Sequence, residues 1–245
     1  MKAMILAAGL GTRLKPWTLE HPKALVPVGG VPMLERVILR LKEQAFSSII
    51  VNVHHFADQV KEFLSVHDFG VKIVVSDESG RLLDTGGGIL HAADYLCADA
   101  EPFLVHNVDI LSDAPLADLM NKHIQGGGKA TLLVSDREST RKLVIDAADV
   151  LQGWHNPASD EWKPEGFTIN TEYKEVAFSG IYVLSADVPM MMREQGFKDA
   201  FPIMDFFLRN VGSGAVKVMK ADSLHLIDIG KPGSLARADA LFRSC

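Results

Sequence analysis

Short apolar segments alternate with amphipathic ones along most of the chain, and this rhythm restricts the fold more than any other feature. Residues 2–7 form an apolar run closed by a glycine turn. Ser48 to Val53, Val71 to Val75, Phe103 to Val108, Ala130 to Val134, Val176 to Leu184 and Ala215 to Met219 are further strand candidates. Residues 32–45 predict a helix, with Pro32 at the first helical position. Met33, Leu34, Val37, Ile38 and Leu41 fall on its one apolar face. Phe56, Val60, Phe63 and Leu64 mark a second helix, and Gly88 to Leu96, Pro115 to His123, Pro202 to Asn210 and Pro232 to Phe242 predict others. Strands that are apolar throughout and separated by helices belong to a mostly parallel sheet covered on both faces, an α/β fold. Ligands of such sheets bind beyond the carboxyl ends of the strands. The loops after Ala7, Val53, Val75 and Val108 are therefore the candidate site.

The rhythm changes after residue 142. Leu143 to Leu151, with Asp146-Ala-Ala-Asp149 in the middle, predicts a hairpin, and the polar stretch 152–174 predicts an inserted cover over the site. Residues 1–245 are expected to form one domain, with 143–184 as its lid and hairpin region. The 245 residues, 47% hydrophobic, suffice for one sizeable core.

The formal net charge of −6 argues against a dedicated nucleic-acid binder, which presents a basic face, and against a polybasic membrane surface. No stretch approaches the roughly 20 apolar residues of a membrane span. Arg13 and Lys15 follow the first apolar run too closely for a leader peptide, so that run reads as a buried strand. Two distant cysteines, Cys97 and Cys245, make neither a disulfide framework nor a zinc site. A cytoplasmic location is the expectation. A phosphate ligand has to be met by a few local cations, because there is no global positive field.

Those cations stand in the first loop. Leu6-Ala7-Ala8-Gly9-Leu10-Gly11-Thr12-Arg13-Leu14-Lys15-Pro16 is followed by Pro22-Lys23-Ala24-Leu25-Val26-Pro27-Val28. Two glycines straight after a buried strand let backbone N–H groups curl around phosphate oxygens. Thr12 adds a hydroxyl, Arg13 a rigid fork of donors and Lys23 a point charge on a flexible stem. Leu14 stands where a dinucleotide fingerprint needs glycine, and no Gly-Lys-Ser/Thr of a Walker A loop occurs at the right spacing. Asp109 follows an apolar strand, and Asp228 lies in His225-Leu-Ile-Asp228-Ile-Gly230. Both can face one cleft as carboxylate ligands of a magnesium ion, although each alone also reads as a turn or cap aspartate.

Residues 6 to 28 resemble the signature of the sugar-1-phosphate nucleotidyltransferases, the NDP-sugar pyrophosphorylases: Leu-Ala-Ala-Gly-x-Gly-Thr-Arg-Leu-x-Pro-x-Thr, then Pro-Lys-x-Leu-x-Pro-Val. The resemblance implies a Rossmann-like α/β/α sandwich with a mostly parallel central sheet. It implies that Ala7, Ala8, Gly9, Gly11, Thr12 and Arg13 hold a nucleoside triphosphate, that Lys23 contacts the reacting phosphate, and that Asp109 and Asp228 bind Mg²⁺. Arg13 and Lys23 would then be the catalytic cations. Thr85-Gly86-Gly87, in Leu83-Asp84-Thr85-Gly86-Gly87-Gly88-Ile89, would contact the nucleobase, the glycines giving the backbone freedom to pack against it. Asn107 and Gly180 would lie at the sugar phosphate, with the lid region on that side. Two departures from the pattern stand out: Val108 precedes Asp109 where the family commonly has glycine, and the Glu-Lys sugar-phosphate motif is missing, with Glu172-Tyr-Lys174-Glu175 as the nearest candidate.

The Thr-Gly-Gly-Gly form and Phe178-Ser-Gly180-Ile-Tyr-Val-Leu184 look most like the N-acetylmuramate 1-phosphate uridylyltransferases. The mannose 1-phosphate and heptose 1-phosphate guanylyltransferases share most of these features. The implied reaction is in-line attack of a sugar 1-phosphate oxygen on the α-phosphorus of a triphosphate, UTP favoured. The nucleophile is already an anion, so no serine, cysteine or histidine is needed, and catalysis rests on positioning and charge neutralisation. A glycosyltransferase would carry Asp-x-Asp, which Asp109-Ile-Leu breaks. A non-catalytic regulatory subunit need not retain Lys23, Asp109 and Asp228 together. No nucleic acid or membrane partner is expected, and the assembly is expected to be a monomer or homodimer. The few residues after the closing helix leave no room for the β-helix domain of some relatives, so one activity is expected. His54-His55 point to opposite faces of a strand, so one metal does not use both. His106 reads as a buried strand residue, and Met190-Met-Met192, Trp154 and Trp162 as packing.

Overall fold

The computed structural model describes residues 1–230 and 233–243. In chain order, β1 (Lys2–Leu6), β2 (Pro27–Val28), β3 (Val31–Pro32), α1 (Met33–Glu43), β4 (Ser48–Val53), α2 (Ala57–Val66) and β5 (Lys72–Asp77) build the first part. Next come α3 (Asp84–His91), α4 (Ala93–Leu96), β6 (Phe103–Asn107), β7 (Ile110–Ser112), α5 (Leu116–Gly126) and β8 (Ala130–Ser135). Then β9 (Lys142–Ile145), β10 (Leu151–Asn156), β11 (Glu161–Lys163) and β12 (Lys174–Leu184) follow, and α6 (Val188–Glu194), α7 (Ile203–Arg209), β13 (Val216–Lys220), β14 (Leu226–Asp228) and α8 (Ser234–Arg243) close the chain.

The predicted alternation is present. The centre of the sheet runs β5-β4-β1-β6-β12-β8-β13, and within it only β12 runs against its neighbours. Strand β1 is central and wholly buried, so successive side chains enter opposite layers. Ala3 and Ile5 join a core under α1, α2 and α5, while Met4 and Leu6 join another under α3, α4, α6 and α7. That division is the α/β/α sandwich. A third small cluster, Val26, Val28, Met33, Leu111, Ile229 and Ala238, fastens the loop after β1 to α8.

Several boundaries differ from expectation for local reasons. Pro32 is the N-cap of α1 and not its first residue, because its ψ of 140° is extended. Phe56 likewise caps α2, in the left-handed region at φ 52°. Helix α3 begins at Asp84, so the three glycines lie inside its first turns and not ahead of it. The expected helix from Pro232 starts at Ser234; Pro232 and Cys245 lie outside the described residues. Cys97 is a free thiol.

Residues 143–163 form the expected hairpin and one more strand. They extend the sheet edge in the order β11-β10-β9-β12, and no residue of the cleft described below comes from 152–174. Here the chain stacks rings: His155 on Trp162 at 3.7 Å and Trp162 on Phe167 at 5.7 Å. The polar stretch thus supplies edge strands of the sheet followed by a loop. No helix among the described residues is long and apolar enough to cross a membrane.

His123 of α5 ties that helix to the sheet. It is buried, with Nδ1 3.0 Å from Thr131 Oγ1 and Nε2 3.0 Å from Ser185 Oγ. Burial lowers its pKa from 6.5 to about 4. The unfolded chain takes up this proton near pH 6.5 and the folded chain only near pH 4. The stability it contributes is thus complete above 6.5 and is lost as the pH falls through about 4. Stability measured by urea unfolding is predicted to drop over this window, by up to about 1.4 kcal/mol per pH unit for one such proton. His123→Gln should flatten that slope, and an unchanged slope would remove His123 from this role.

Candidate active site

The loop after β1 is built from Asn52, on the neighbouring strand β4. The N–H groups of Ala7 and Ala8 donate to Asn52 Oδ1 at 2.6 and 3.3 Å. Asn52 Nδ2 donates in turn to Glu78 Oε1 at 2.8 Å. Glu78 is 3% exposed, and burial pushes its pKa up, partly offset by this hydrogen bond. Asn52 and Glu78 were not among the residues singled out in the sequence. The N–H groups of Ala7 and Ala8 are thus hydrogen-bonded within the protein. Gly9 has open space where a Cβ would stand. Gly11 adopts φ +63°, and a Cβ there would lie 2.8 Å from both Lys23 Cβ and Thr18 Cγ2. Only glycine allows the two halves of the loop to close on each other. Thr12 and Arg13 follow in an exposed 3₁₀ turn.

The cleft beyond these strand ends has a volume of about 290 Å³ and is lined by Ala8, Gly9, Lys23, Thr85, Asn107 and Asp109 among others. Lys23 donates to Asp109 Oδ2, joining the second half of the loop to the end of β6. Asp228 reaches the same place because β14 pairs with β7, Asp228 opposite Ile110, and Ile229 N–H donates to the Asp109 carbonyl at 2.9 Å. Gly230 records how tightly these groups converge. A Cβ there would meet Arg13 Nη2 at 2.8 Å, Asp109 Oδ2 at 2.9 Å and Asp228 Oδ1 at 3.1 Å. The two carboxylate oxygens are therefore separated by less than twice that last distance. Arg13, Lys23, Asp109 and Asp228, distant in sequence, stand together. Val108, in place of glycine, is buried with its N–H donating to the Leu6 carbonyl at 3.1 Å.

The glycines of α3 are required by packing. Gly86 and Gly87 N–H groups donate to the Phe201 carbonyl at 2.9 and 3.3 Å. A Cβ on Gly86 would sit 2.2 Å from Phe201 Cε2, and one on Gly87 2.2 Å from the Asp199 carbonyl. These residues let α3 approach the 199–201 segment; their N–H groups are turned inward. Thr85 lines the cleft, while its Oγ1 accepts the Ile203 N–H at 2.8 Å. Gly180, at φ +78°, sits where a Cβ would be 2.7 Å from Asn107 Nδ2, which brings those two residues together as expected. Lys174, of the candidate sugar-phosphate motif, lies exposed at the start of β12 and pairs with Ile145 of β9.

His54 Nδ1 faces the Glu78 carbonyl at 2.7 Å, and His55 Nε2 the Thr18 carbonyl at 3.3 Å, so the pair does diverge. His106 is buried, and burial lowers its pKa to about 4. A second cavity of about 310 Å³, lined by Arg40, His106 and Ser112 among others, holds none of the loop residues. Among the described residues no three or more His, Cys, Asp or Glu cluster as a metal cage.

A sequence model of the family described as Nucleotidyl transferase matches residues 2–244. A probable mannose-1-phosphate guanylyltransferase 1 of Oryza sativa subsp. japonica is 37% identical over 195 residues, covering 77% of this chain and 51% of that protein. An N-acetylmuramate alpha-1-phosphate uridylyltransferase of Caulobacter vibrioides is 44% identical over 110 residues, covering 44% and 45%. The chain spans about half the length of these curated relatives. Among solved structures, a putative glucose-1-phosphate thymidylyltransferase of Bacillus anthracis superposes with a TM-score of 0.79 at 22% identity, covering 100% of this chain and 96% of that one. HddC of Yersinia pseudotuberculosis, solved with GMP-PN, gives 0.76 at 24% identity, covering 98% and 99%. These two show the fold.

The Asn52 bridge predicts a specific defect. Asn52→Ala leaves two buried N–H groups and the Glu78 carboxyl without this partner, at about 1–3 kcal/mol for each group left unsatisfied. Asn52→Asp keeps the acceptor but sets a second carboxyl against Glu78. Its urea midpoint should therefore fall further at pH 8 than at pH 5. A midpoint equally low at both values would mean that the Glu78 contact is not what the substitution breaks.

Proposed function

Because the chain belongs to the nucleotidyl transferase family, we propose that it transfers a nucleoside monophosphate from a nucleoside triphosphate to a sugar 1-phosphate, giving an NDP-sugar and pyrophosphate. The observation that carries this reading is the convergence of Arg13 and Lys23 with Asp109 and Asp228 at the mouth of one cleft. A sugar 1-phosphate oxygen attacks the α-phosphorus. The bond from that phosphorus to the αβ-bridging oxygen breaks, and pyrophosphate leaves with the electron pair. The attacking group is already an anion, so the protein has no proton to remove. Its task is to hold two polyanions in line and to balance their charge.

Gly9, with nothing above it, lets triphosphate oxygens approach the backbone, and Arg13 supplies a forked donor beside the acidic pair. Lys23 lies on Asp109, ready to exchange a carboxylate for a phosphate oxygen. Asp109 and Asp228 fit a magnesium ion, which takes one or two carboxylates and completes its shell from water and substrate phosphates. When bound, Mg²⁺ supplies neutralisation of phosphate charge.

For the substrates, N-acetylmuramate 1-phosphate with UTP is the first reading, supported by Thr85-Gly86-Gly87-Gly88 and by 44% identity over 110 residues to the Caulobacter uridylyltransferase. Mannose 1-phosphate with GTP is the second, favoured by 37% identity over the longer span of 195 residues.

A matrix of five triphosphates against N-acetylmuramate, mannose, glucose and heptose 1-phosphates, with inorganic pyrophosphatase, tests this. Phosphate release that requires one triphosphate and one sugar phosphate together is the expected result; none from any pair counts against the reading. For the active pair, Lys23→Ala and Asp109→Ala should each lower turnover at least about 10²-fold, roughly 2.7 kcal/mol, as for loss of one electrostatic stabiliser. With the NDP-sugar measured directly by chromatography and without pyrophosphatase, EDTA should abolish product and excess Mg²⁺ restore it; product that survives EDTA would remove the metal from the scheme.

A further inference from the structure

The reaction proposed above brings in a second phosphate, and Arg13 and Lys23 both belong to the loop assigned to the first. Another cation is needed beside the acidic pair. Arg137 follows β8 at its carboxyl end and is half-buried. Its Nη2 donates to the Phe178 carbonyl at 2.6 Å, and Lys142 Nζ donates to the Arg137 carbonyl at 2.9 Å, so both side chain and backbone of Arg137 are anchored. Its Nε is buried and has no hydrogen-bond partner. Phe178 is where the register of β12 against β8 breaks, and the irregular stretch contains Gly180, which abuts Asn107 of the cleft. Burial draws the guanidinium pKa down, and the nearby Asp228 carboxylate opposes this. Arg137 thus feels the metal-side aspartate and is fastened to the segment beside Asn107.

We infer that Arg137 is the cation that receives the phosphate of the sugar 1-phosphate. The inference rests on the transfer reading of the same cleft. A guanidinium offers five N–H donors in a rigid plane. With one Nη fixed on a backbone carbonyl, the plane is set before the ligand arrives, so little side-chain freedom remains to be lost on binding. The guanidinium is only half-buried, and the N–H donors that the Phe178 carbonyl does not engage can make charge-assisted bonds to phosphate oxygens. Gly180, with no side chain of its own, lets Asn107 of the cleft pack directly against this strand.

A purely structural Arg137 would only clamp β8 to β12 through Phe178. The two roles separate kinetically. The wild-type protein and the variants Arg137→Gln and Arg137→Lys are assayed with UTP or GTP against N-acetylmuramate 1-phosphate or mannose 1-phosphate, each substrate varied in turn, with melting temperatures recorded alongside. For Arg137→Gln the KM for the sugar phosphate should rise about 10-fold or more while that for the triphosphate stays within about 2-fold, and Arg137→Lys should recover part of the loss. An unchanged sugar-phosphate KM overturns the inference, as does an equal rise in both KM values with a lowered melting temperature. If Arg137→Gln does not fold, Arg137→Lys decides, because a point charge does not reproduce the fork and an unmoved KM would then speak against phosphate binding. A wild-type protein silent with every pair overturns the transfer reading and this inference with it. An active wild type with an indifferent Arg137 overturns the inference alone.

Discussion

The amide of Asn52 holds three strand ends together. Its oxygen takes the N–H groups that follow β1, and its nitrogen binds the buried Glu78 that follows β5. Glu78 N–H returns to the Val53 carbonyl at 2.8 Å. Every further feature of the cleft is measured from this junction. The glycine loop leaves β1 in a fixed direction, closes on Lys23 through Gly11, and so delivers Lys23 to Asp109 at the end of β6. Glu78 also lies 2.8 Å from where a Cβ on Gly88 would stand, so the same carboxyl limits how α3 can sit. The Asn52 amide is tolerated this deep because its oxygen and its nitrogen are both paired.

The second organising element is charge. The sheet positions two carboxylates and three cations that lie far apart in sequence: Arg13 and Lys23 from the first loop, Asp109 after β6, Arg137 after β8, and Asp228 at the end of β14. The small β7–β14 ribbon brings Asp228 to Asp109. With a negative net charge over the whole chain, this local cluster has to do what a global positive field would do elsewhere. Both readings of the substrates use the same charges and differ only in the base and the sugar.

Much of this was legible in the sequence because the requirements are local. A loop that wraps phosphates needs small residues followed by cations, and residues 6 to 28 show both. Carboxylates at strand ends follow from the parallel sheet, and Asp109 stands at one. Asn52 was not legible: an amide in an apolar strand looks like any polar residue, and its partners are 45 and 26 residues away. The three glycines of α3 were visible, but their reason was not. It lies in the approach of Phe201 to Gly86, of Asp199 to Gly87 and of Glu78 and Asn52 to Gly88, contacts that no local pattern encodes. The same holds for residues 152–174, whose pairing as edge strands β10 and β11 no local pattern announces. Arg137 carries no motif, and its interest appears only once β8, β12 and Asp228 are assembled.

The proposed transfer is one direct displacement at the α-phosphorus, with no covalent step on the protein, because the cleft's charges and the metal they would hold position both anions. The most direct test is the stereochemical course. With a substrate pair that turns over, the donor is replaced by a single diastereomer of the nucleoside 5′-O-(1-thiotriphosphate), and the configuration at phosphorus in the NDP-sugar product is determined. Inversion is the predicted result. Retention would mean two successive displacements through a nucleotidyl group bound to the protein, and would contradict the account.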